Sequence, residues 1–305
     1  MYAAIARNKR NTAIIIGLFL AFFTGVAVLL SWWLQNIWIG VGLLAFMIVY
    51  TFVQYYFAAN MAMNIAGAVQ VDKESHPKLW NTVENLAISE GMPMPKVYVI
   101  KDESINAMAI GRDPWHAHVA ATEGLMKITQ KYELEGVMAH EMAHIKNYDT
   151  RVKLIVFGLV GAVSALAQFC FLFIFGIFGG TQTGKKRGGF FMVLFFPVAL
   201  LLLVVGFVSW VISSLLGPII MNGVSRQREY LADATGALMT RHPEALMSAL
   251  HKMEMFSQAP VRKNKATAAM FFTNPFRRGL FARLFSSHPD TEDRIERLAQ
   301  MAQDF

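Results

Sequence analysis

The chain has 305 residues, of which 55% are hydrophobic and only 16% are charged, a composition too apolar for an ordinary soluble protein. The formal net charge is +7, yet the basic residues do not form the interleaved basic and aromatic stripe that would indicate a nucleic-acid partner. A lone cysteine, Cys170, excludes a disulfide framework and a thiolate metal cluster. We therefore predict an integral membrane protein in which Cys170 is a buried, inert thiol.

Two apolar blocks predict a transmembrane hairpin. Residues 12–34 are uncharged and can cross a hydrocarbon core of about 30 Å, which needs roughly 20 helical residues. The second block, residues 37–59, follows after a short uncharged link. Basic residues at positions 7–10 predict a cytoplasmic N-terminus, because positive charge favours that side. The hairpin of residues 1–59 therefore returns the chain to the cytoplasm.

The polar segment that follows, residues 60–153, predicts a small α+β domain. A helix entered at a proline and ended at a glycine is expected first, and alternating apolar residues then predict strands. A second helix, with acids near its start and a lysine near its end, suits the helix dipole. The predicted elements are a helix at 76–92, strands at 96–100, 105–111 and 117–126, and a helix at 131–147.

Two further apolar blocks, residues 154–180 and 190–221, are each long enough to span a membrane with tilt. If both span, the basic link at 185–187 lies on the outer side, against the positive-inside tendency. A re-entrant pair is the alternative. Either arrangement leaves the polar segments before and after the pair in one compartment, so residues from both can share a site.

We therefore expect a mainly α integral membrane protein with four transmembrane helices. A cytoplasmic α+β domain with a small sheet is built in two parts, from residues 60–153 and 222–305. The hairpin of residues 1–59 precedes it, and the second membrane pair, residues 154–221, separates its two parts.

The stretch "VMAHEMAHIKNYD", residues 137–149, places His-Glu-x-x-His on a predicted helix. Positions i and i+4 lie on one helical face, so His140 and His144 can both direct imidazole nitrogens at one metal ion. Glu141 lies beside them, where it can act as a general base toward a water on that ion. A chance pattern on a polar helix is the alternative, but small or apolar neighbouring positions favour a metal site.

A third metal ligand is expected after the fourth apolar block. Glu229 lies in a helical pattern there, and Asp233 follows one turn later on the same face. A glutamate that completes a His₂Glu site, and an aspartate that holds a ligand imidazole by its other nitrogen, fit zinc chemistry. Taken alone, these acids fit a solvated face paired with Arg226 and Arg228 equally well. Together with the upstream motif, they favour one zinc ion per chain.

Four stretches in combination resemble the HtpX family of membrane-bound heat-shock zinc metalloproteases, which are gluzincins related to the eukaryotic CAAX prenyl proteases. The stretches are "AHEMAHIKNYD", "SRQREYLADATGALM", "INAMAIG" and "SSHPDTEDRIERL". The resemblance extends over most of the chain and implies a gluzincin-type catalytic domain on the cytoplasmic face. It implies that His140, His144 and Glu229 bind zinc, that Glu141 activates water, and that Asp233 supports the ligands.

Metalloproteases commonly hold a peptide as an added strand on a sheet edge, where main-chain hydrogen bonds ignore sequence. We predict that the strand at 116–122 is this edge, with His118 and Ala120 toward the substrate and Asn106 and Ala107 lining the groove. His118 and the histidine two residues before it share a strand face and could form a second metal pair. We favour solvated or substrate-facing histidines, because ligand and base roles are already filled.

Two further residues have open roles. His288 can donate to the oxyanion of the tetrahedral intermediate, a role that zinc proteases give to a nearby histidine or tyrosine. It can equally anchor the start of the last helix beside Pro289. Arg294 is expected to pair with a carboxylate of the site, with Asp233 as the candidate.

The leading hypothesis is a zinc endopeptidase of the bacterial inner membrane, multi-pass, with its active site cytoplasmic and with misfolded or surplus membrane proteins as substrates. A CAAX-type prenyl-protein protease is one alternative, disfavoured because four spans make a smaller structure than the helical chamber of such enzymes. An intramembrane protease is disfavoured because charged residues flank the motif, and these are costly inside a bilayer. A non-catalytic scaffold or transporter would carry ionisable residues within its spans, and this sequence has almost none.

Overall fold

The computed structural model describes residues 2–179, 200, 202–212, 214, 226–256 and 289–303. Within these ranges the chain is mostly helical and has one small mixed sheet. The helices are α1 (Tyr2–Trp33), α2 (Ile37–Ala66), α3 (Pro77–Ser89), α4 (Glu123–Ile128), α5 (Lys131–Lys146), α6 (Asp149–Gly179), α7 (Leu202–Val211), α8 (Arg226–Thr240), α9 (Pro243–Met255) and α10 (Thr291–Ala302). The strands are β1 (Ala68–Gln70), β2 (Lys96–Ile100), β3 (Ala107–Gly111) and β4 (Ala117–Thr122).

Among the described residues, 3 helices are long and apolar enough to cross a membrane. They are α1, α2 and α6, which correspond to the first three predicted spans. Each helix extends past the predicted apolar block at its polar end, because adding a residue to an existing helix is favourable once the helix has nucleated. The fourth predicted span lies largely outside the described residues, and α7 is the main part of it that the structure describes.

The chain divides into two compact units, which each combine distant parts of the sequence. The first unit contains residues 1–17, 52–157 and 221–305, and the second contains 18–51 and 158–220. Within the second unit, Cys170 is buried in an apolar cluster with Val26 and Val205, so its predicted burial is confirmed. The first unit holds the sheet and helices α3, α5, α8, α9 and α10.

Local signals in the polar segment set the helix ends. Pro77 occupies the first turn of α3, where the missing N–H is not needed. The chain leaves α3 through Gly91, whose φ of 59° is in the left-handed region that glycine adopts freely. At the start of α5, the backbone N–H of Gln130 donates to the Glu133 carboxylate at 2.7 Å. Both predicted helices are therefore present with the expected ends.

The sheet has the order β1-β2-β4-β3. β4 runs parallel to β2 and antiparallel to β3, so it has a neighbour on each side. The prediction that residues 116–122 form the sheet edge is therefore wrong, and β3 is the edge strand on that side. All six residues of β4 are buried, so its sequence has no exposed face whose alternation could have distinguished an edge strand from an interior one.

One face of this sheet packs against α5. Ala107 and Ala109 of β3 pair with Ala121 and Val119 of β4, so their side chains share a face. These four residues belong to the same buried cluster as Val137 of α5. The apolar contact fixes α5 against the edge strand and holds the histidine-bearing turn of that helix in place.

The backbones of helices α5 and α8 approach closely at Gly236. Glu229, Asp233 and Gly236 recur at i, i+4 and i+7, so they lie on one face of α8. A Cβ added at Gly236 would lie 2.9 Å from the backbone nitrogen of His140, which is closer than van der Waals contact allows. The missing side chain at Gly236 therefore permits the close approach that brings both acids to α5.

We expect Gly236→Ala to destabilise the protein by about 1–3 kcal/mol, because a methyl group forced into a packed contact shifts the backbone. The free energy of unfolding in detergent measures this loss. Gly161→Ala in α6 is the matched control, since a Cβ there meets nothing within 4 Å; it should be neutral or stabilising, because alanine favours helix by about 1 kcal/mol. Equal effects of the two substitutions would contradict the packing argument.

Candidate metal centre

Three buried side chains from α5 and α8 converge on one point. His140 and His144 lie one turn apart on α5, and Glu229 faces them from α8. The two Nε2 atoms are 3.1 Å apart, and each lies 3.6 Å from a carboxylate oxygen of Glu229. The three residues that the sequence singled out as ligands are therefore together.

The donor atoms fit a tetrahedral divalent metal ion. A zinc ion with ligand bonds of about 2.0–2.2 Å holds its ligand atoms roughly 3.3–3.6 Å apart, close to the separations in this cluster. Two imidazole nitrogens and one carboxylate also form a common catalytic zinc site, in which a fourth position is left for water or substrate. Both the separations of the ligand atoms and their chemical types therefore suit a zinc ion.

His140 is held from behind by two charged residues. Its Nδ1 lies 2.8 Å from Oδ1 of Asp233, so the ring donates its proton there and turns Nε2 toward the cluster. Arg294 of α10 donates to both carboxylate oxygens of Asp233, at 2.8 and 2.7 Å. The predicted pairing of Arg294 with Asp233 is therefore present, and it fixes the plane of the carboxylate that orients His140.

His144 has a corresponding support that the sequence analysis missed. Its Nδ1 lies 3.1 Å from Oδ2 of Asp149, a buried residue at the start of α6. Asp149 follows His144 by five residues, across the turn that ends α5, so helical spacing gives no sign of the contact. The signal available was an acid just beyond the motif, in the first turn of an apolar helix, although such an acid also suits the helix dipole.

Burial and opposite charges act against each other in this cluster. Burial lowers the pKa of His144, but the carboxylates of Glu229 and Asp149 outweigh it and raise that pKa to about 9. Burial raises the pKa of Asp233, but Arg294 and His140 outweigh it and hold that pKa well below its usual range. In the metal-free site these carboxylates favour the protonated imidazole of His144, whereas a metal ligand must be neutral.

The other predicted catalytic residues have different outcomes. Glu141 is buried beside His140 on α5, where the motif requires it. His288 lies outside the described residues, and the described chain resumes directly after it at Pro289.

The predicted substrate residues divide between an edge strand and an interior strand. Ala107 is the first residue of the edge strand β3, and Asn106 directly precedes it. His118 and Ala120 lie on β4, which has a neighbour on each side, so their predicted place at the sheet edge is wrong. The His118 ring is buried and its Nδ1 lies 3.1 Å from the Tyr98 hydroxyl, which gives this histidine a structural contact within the sheet.

Comparison with known proteins agrees with this centre. Residues 73–302, which include both helices that carry the candidate ligands, match the family described as Peptidase family M48. The chain belongs to peptidase family M48.

Relatives and a solved structure extend the likeness beyond the matched region. The chain is 44% identical to the Protease HtpX homolog of Tropheryma whipplei (strain Twist), over 100% of both chains. It is 37% identical to the Protease HtpX homolog of Lactobacillus helveticus (strain DPC 4571), over 99% of this chain and 100% of the relative. The crystal structure of S. mikatae Ste24p matches with a TM-score of 0.50 at 15% identity, covering 96% of this chain and 66% of that one. This last likeness concerns the fold alone.

The chain is therefore a membrane metalloprotease, and the predicted membership of the HtpX family is confirmed. Membership of the M48 family implies a bound metal ion, and His140, His144 and Glu229 form a cluster that could hold it. Protein substrates and a lipid bilayer are the partners that a protease with membrane-spanning helices requires.

We expect Asp233→Asn to weaken metal binding by about 10–100-fold, because the amide no longer fixes the tautomer of His140 or neutralises Arg294. Competition with a chelator of known affinity measures the change. Asp293→Asn makes the same chemical change at an exposed position of α10 and should leave the affinity unaltered. Wild-type affinity in Asp233→Asn would show that the Asp233 contact does not orient the ligand.

We expect His118 to make the protein sensitive to acid. Burial, with a smaller effect of nearby Lys96, lowers the pKa of His118 from 6.5 to about 4. Between these values the unfolded chain binds a proton that the folded chain refuses, so stability falls as pH decreases through this window. As the pH decreases through this window, the unfolding temperature of His118→Gln should fall by less than that of the wild-type protein. His251→Gln, an exposed control on α9, should behave like wild type, and identical slopes for all three proteins would refute the assignment.

Proposed function

We propose that this protein is a zinc endopeptidase that hydrolyses peptide bonds of misfolded or surplus membrane proteins. The convergence of His140, His144 and Glu229 carries the proposal, since the separations and donor types suit zinc with one position open. One zinc ion per chain is expected.

The chain's own residues divide the chemistry between them. Bound zinc lowers the pKa of a coordinated water and polarises the scissile carbonyl. Glu141 follows His140 directly, so its carboxylate is available to accept the proton of the attacking water and to return it to the leaving amine. Asp233 and Arg294 keep His140 in the tautomer that presents Nε2. His288, just ahead of the described helix that carries Arg294, is the candidate donor to the oxyanion.

The edge of β3 is the proposed site of peptide binding. The N–H of Thr122 donates to the carbonyl of Asn106 at 3.0 Å, which makes Asn106 a residue whose main chain bonds to β4. Main-chain direction alternates along a strand, so the main chains of Ala107 and Ala109 face away from β4. Both residues are buried, and the N–H of Ala107 donates to Oδ1 of Asn106 at 3.1 Å, a contact that a substrate strand would replace. An extended substrate can pair there without regard to its sequence, as an enzyme for varied unfolded chains requires.

We propose a cytoplasmic active site in a bacterial inner membrane. Arg7, Lys9 and Arg10 lie in the first turns of α1, ahead of the uncharged stretch 12–34, and such positive charge favours the cytoplasmic side. Asn8, in the same segment, donates a hydrogen bond to Asp149 at 2.7 Å. This contact requires the N-terminal segment and the metal centre to be on one side of the membrane. The two polar parts of the catalytic domain, residues 60–153 and 222–305, would then face the cytoplasm together.

We expect Glu141→Gln to retain the metal but to slow cleavage of an unfolded membrane protein by about 10²–10⁴-fold, the usual contribution of a general base. Glu229→Gln should instead lose the metal and the activity together, with a drop in affinity greater than the roughly 10–100-fold typical of an outer-shell partner. Metal content and chelator-sensitive proteolysis in detergent, measured on the same samples, separate these outcomes.

Glu135→Gln is the matched control, since it makes the same change on α5 at a half-buried position outside the motif. It should bind metal and cleave substrate like wild type. Normal proteolysis by Glu141→Gln would end the general-base assignment, and full metal occupancy in Glu229→Gln would place the third ligand elsewhere.

A further inference from the structure

The first turns of α1 contact the turn between α5 and α6. Asn8 is buried, only 1% exposed, although it carries an amide. Its Nδ2 donates to the carbonyl of Asn147 at 2.9 Å and to Oδ1 of Asp149 at 2.7 Å. The next residue, Lys9, places its Nζ over the Tyr148 ring, 5.0 Å from the centroid. Two consecutive residues of α1 therefore contact residues 147–149, the link between α5 and α6 together with the first residue of α6.

The contact of Asn8 continues to a proposed metal ligand. Asp149 receives Asn8 on Oδ1 and faces Nδ1 of His144 with Oδ2, at 3.1 Å. Both partners of the Asn8 amide are acceptors, so its Nδ2, and not its carbonyl, must face them. A hydrogen-bond chain therefore runs from Asn8 through Asp149 to His144.

We propose that Asn8 is a positioning residue for the metal centre, acting on His144 through Asp149. This inference rests on the proposed function, because it takes His144 to be a metal ligand. A carboxylate can rotate about its Cβ–Cγ bond, and a donor fixed on one oxygen sets the direction of the other. Asn8 thereby holds the acceptor that keeps the His144 ring turned with Nε2 toward the ion.

Asn8 lies outside the region that matches the peptidase family, residues 73–302, yet residues 1–17 belong to the compact unit that contains the metal centre. The membrane helix α1 is thus more than an anchor. Its first turns form part of the support of one ligand, as α10 supports the other through Arg294 and Asp233.

The test measures metal affinity in the full-length protein in detergent, by competition between apo-protein and a zinc chelator of known affinity. Asn8→Ala removes the donor, and Asn8→Leu removes it while keeping similar bulk. Both should weaken zinc binding by about tenfold or more, within the range of outer-shell partners. Asn11→Ala, a partly buried position on the same helix with no hydrogen bond to another described residue, should bind zinc like wild type. Wild-type affinity in both Asn8 variants would overturn the proposal.

A double-mutant cycle with Asp149→Ala separates positioning from general stabilisation. If Asn8 acts through Asp149, then Asn8→Ala should change zinc affinity by less than about twofold once Asp149 is absent. Independent losses that add together would instead mean that Asn8 merely supports the fold, and the proposal would fail. Unfolding temperatures of the metal-free variants, measured alongside, confirm that each affinity refers to folded protein.

His144→Ala distinguishes this proposal from the one on which it rests. Loss of zinc in His144→Ala, with wild-type affinity in Asn8→Ala and Asn8→Leu, would reject the role of Asn8 alone. Full zinc binding by His144→Ala would reject the metal centre itself. Weakened zinc binding in the Asn8 variants, together with a non-additive double-mutant cycle, supports both the metal centre and the positioning role of Asn8.

Discussion

Two imidazoles can bind one ion only if their Nε2 atoms stay directed at the same point, and the rest of the catalytic unit serves this requirement. His140 and His144 each use Nδ1 to contact a buried carboxylate, at 2.8 Å to Asp233 and 3.1 Å to Asp149. Each carboxylate is held in turn, by Arg294 or by Asn8. The ligand geometry therefore depends on an outer layer drawn from both early and late parts of the chain.

The residues that support the two histidines also stabilise several charged side chains that are buried close together. Ionised carboxylates are costly to bury unless they are paired. Arg294 neutralises Asp233 through two hydrogen bonds, and the Nε group of Arg228 lies 3.9 Å from Asp149. Glu229 faces two imidazoles instead, and a divalent cation is the natural counter-charge for it. Because these groups are shielded from water, the low local dielectric also strengthens the hydrogen bonds and ion pairs between them.

The sequence predicted the chemistry of the centre better than its surroundings. The histidines and Glu229 could be found because the helical period places them on common faces, and charge alone led to the pair between Arg294 and Asp233. Asp149 and Asn8 were missed, since their contacts cross a turn and join residues 141 positions apart, a separation that no periodicity records. The edge strand was misplaced for a related reason: β4 is buried on both faces, so alternation could not reveal which strand is interior.

The contact between Arg294 and Asp233 spans 61 residues of sequence, and the one between Asn8 and Asp149 spans 141. During synthesis on the ribosome, the nascent chain gains its histidine motif long before it gains Arg294. Until then the carboxylate that orients His140 lacks the guanidinium that holds it in the folded protein. The support of His140 is therefore completed only by a residue made after the histidine motif, α6 and α8.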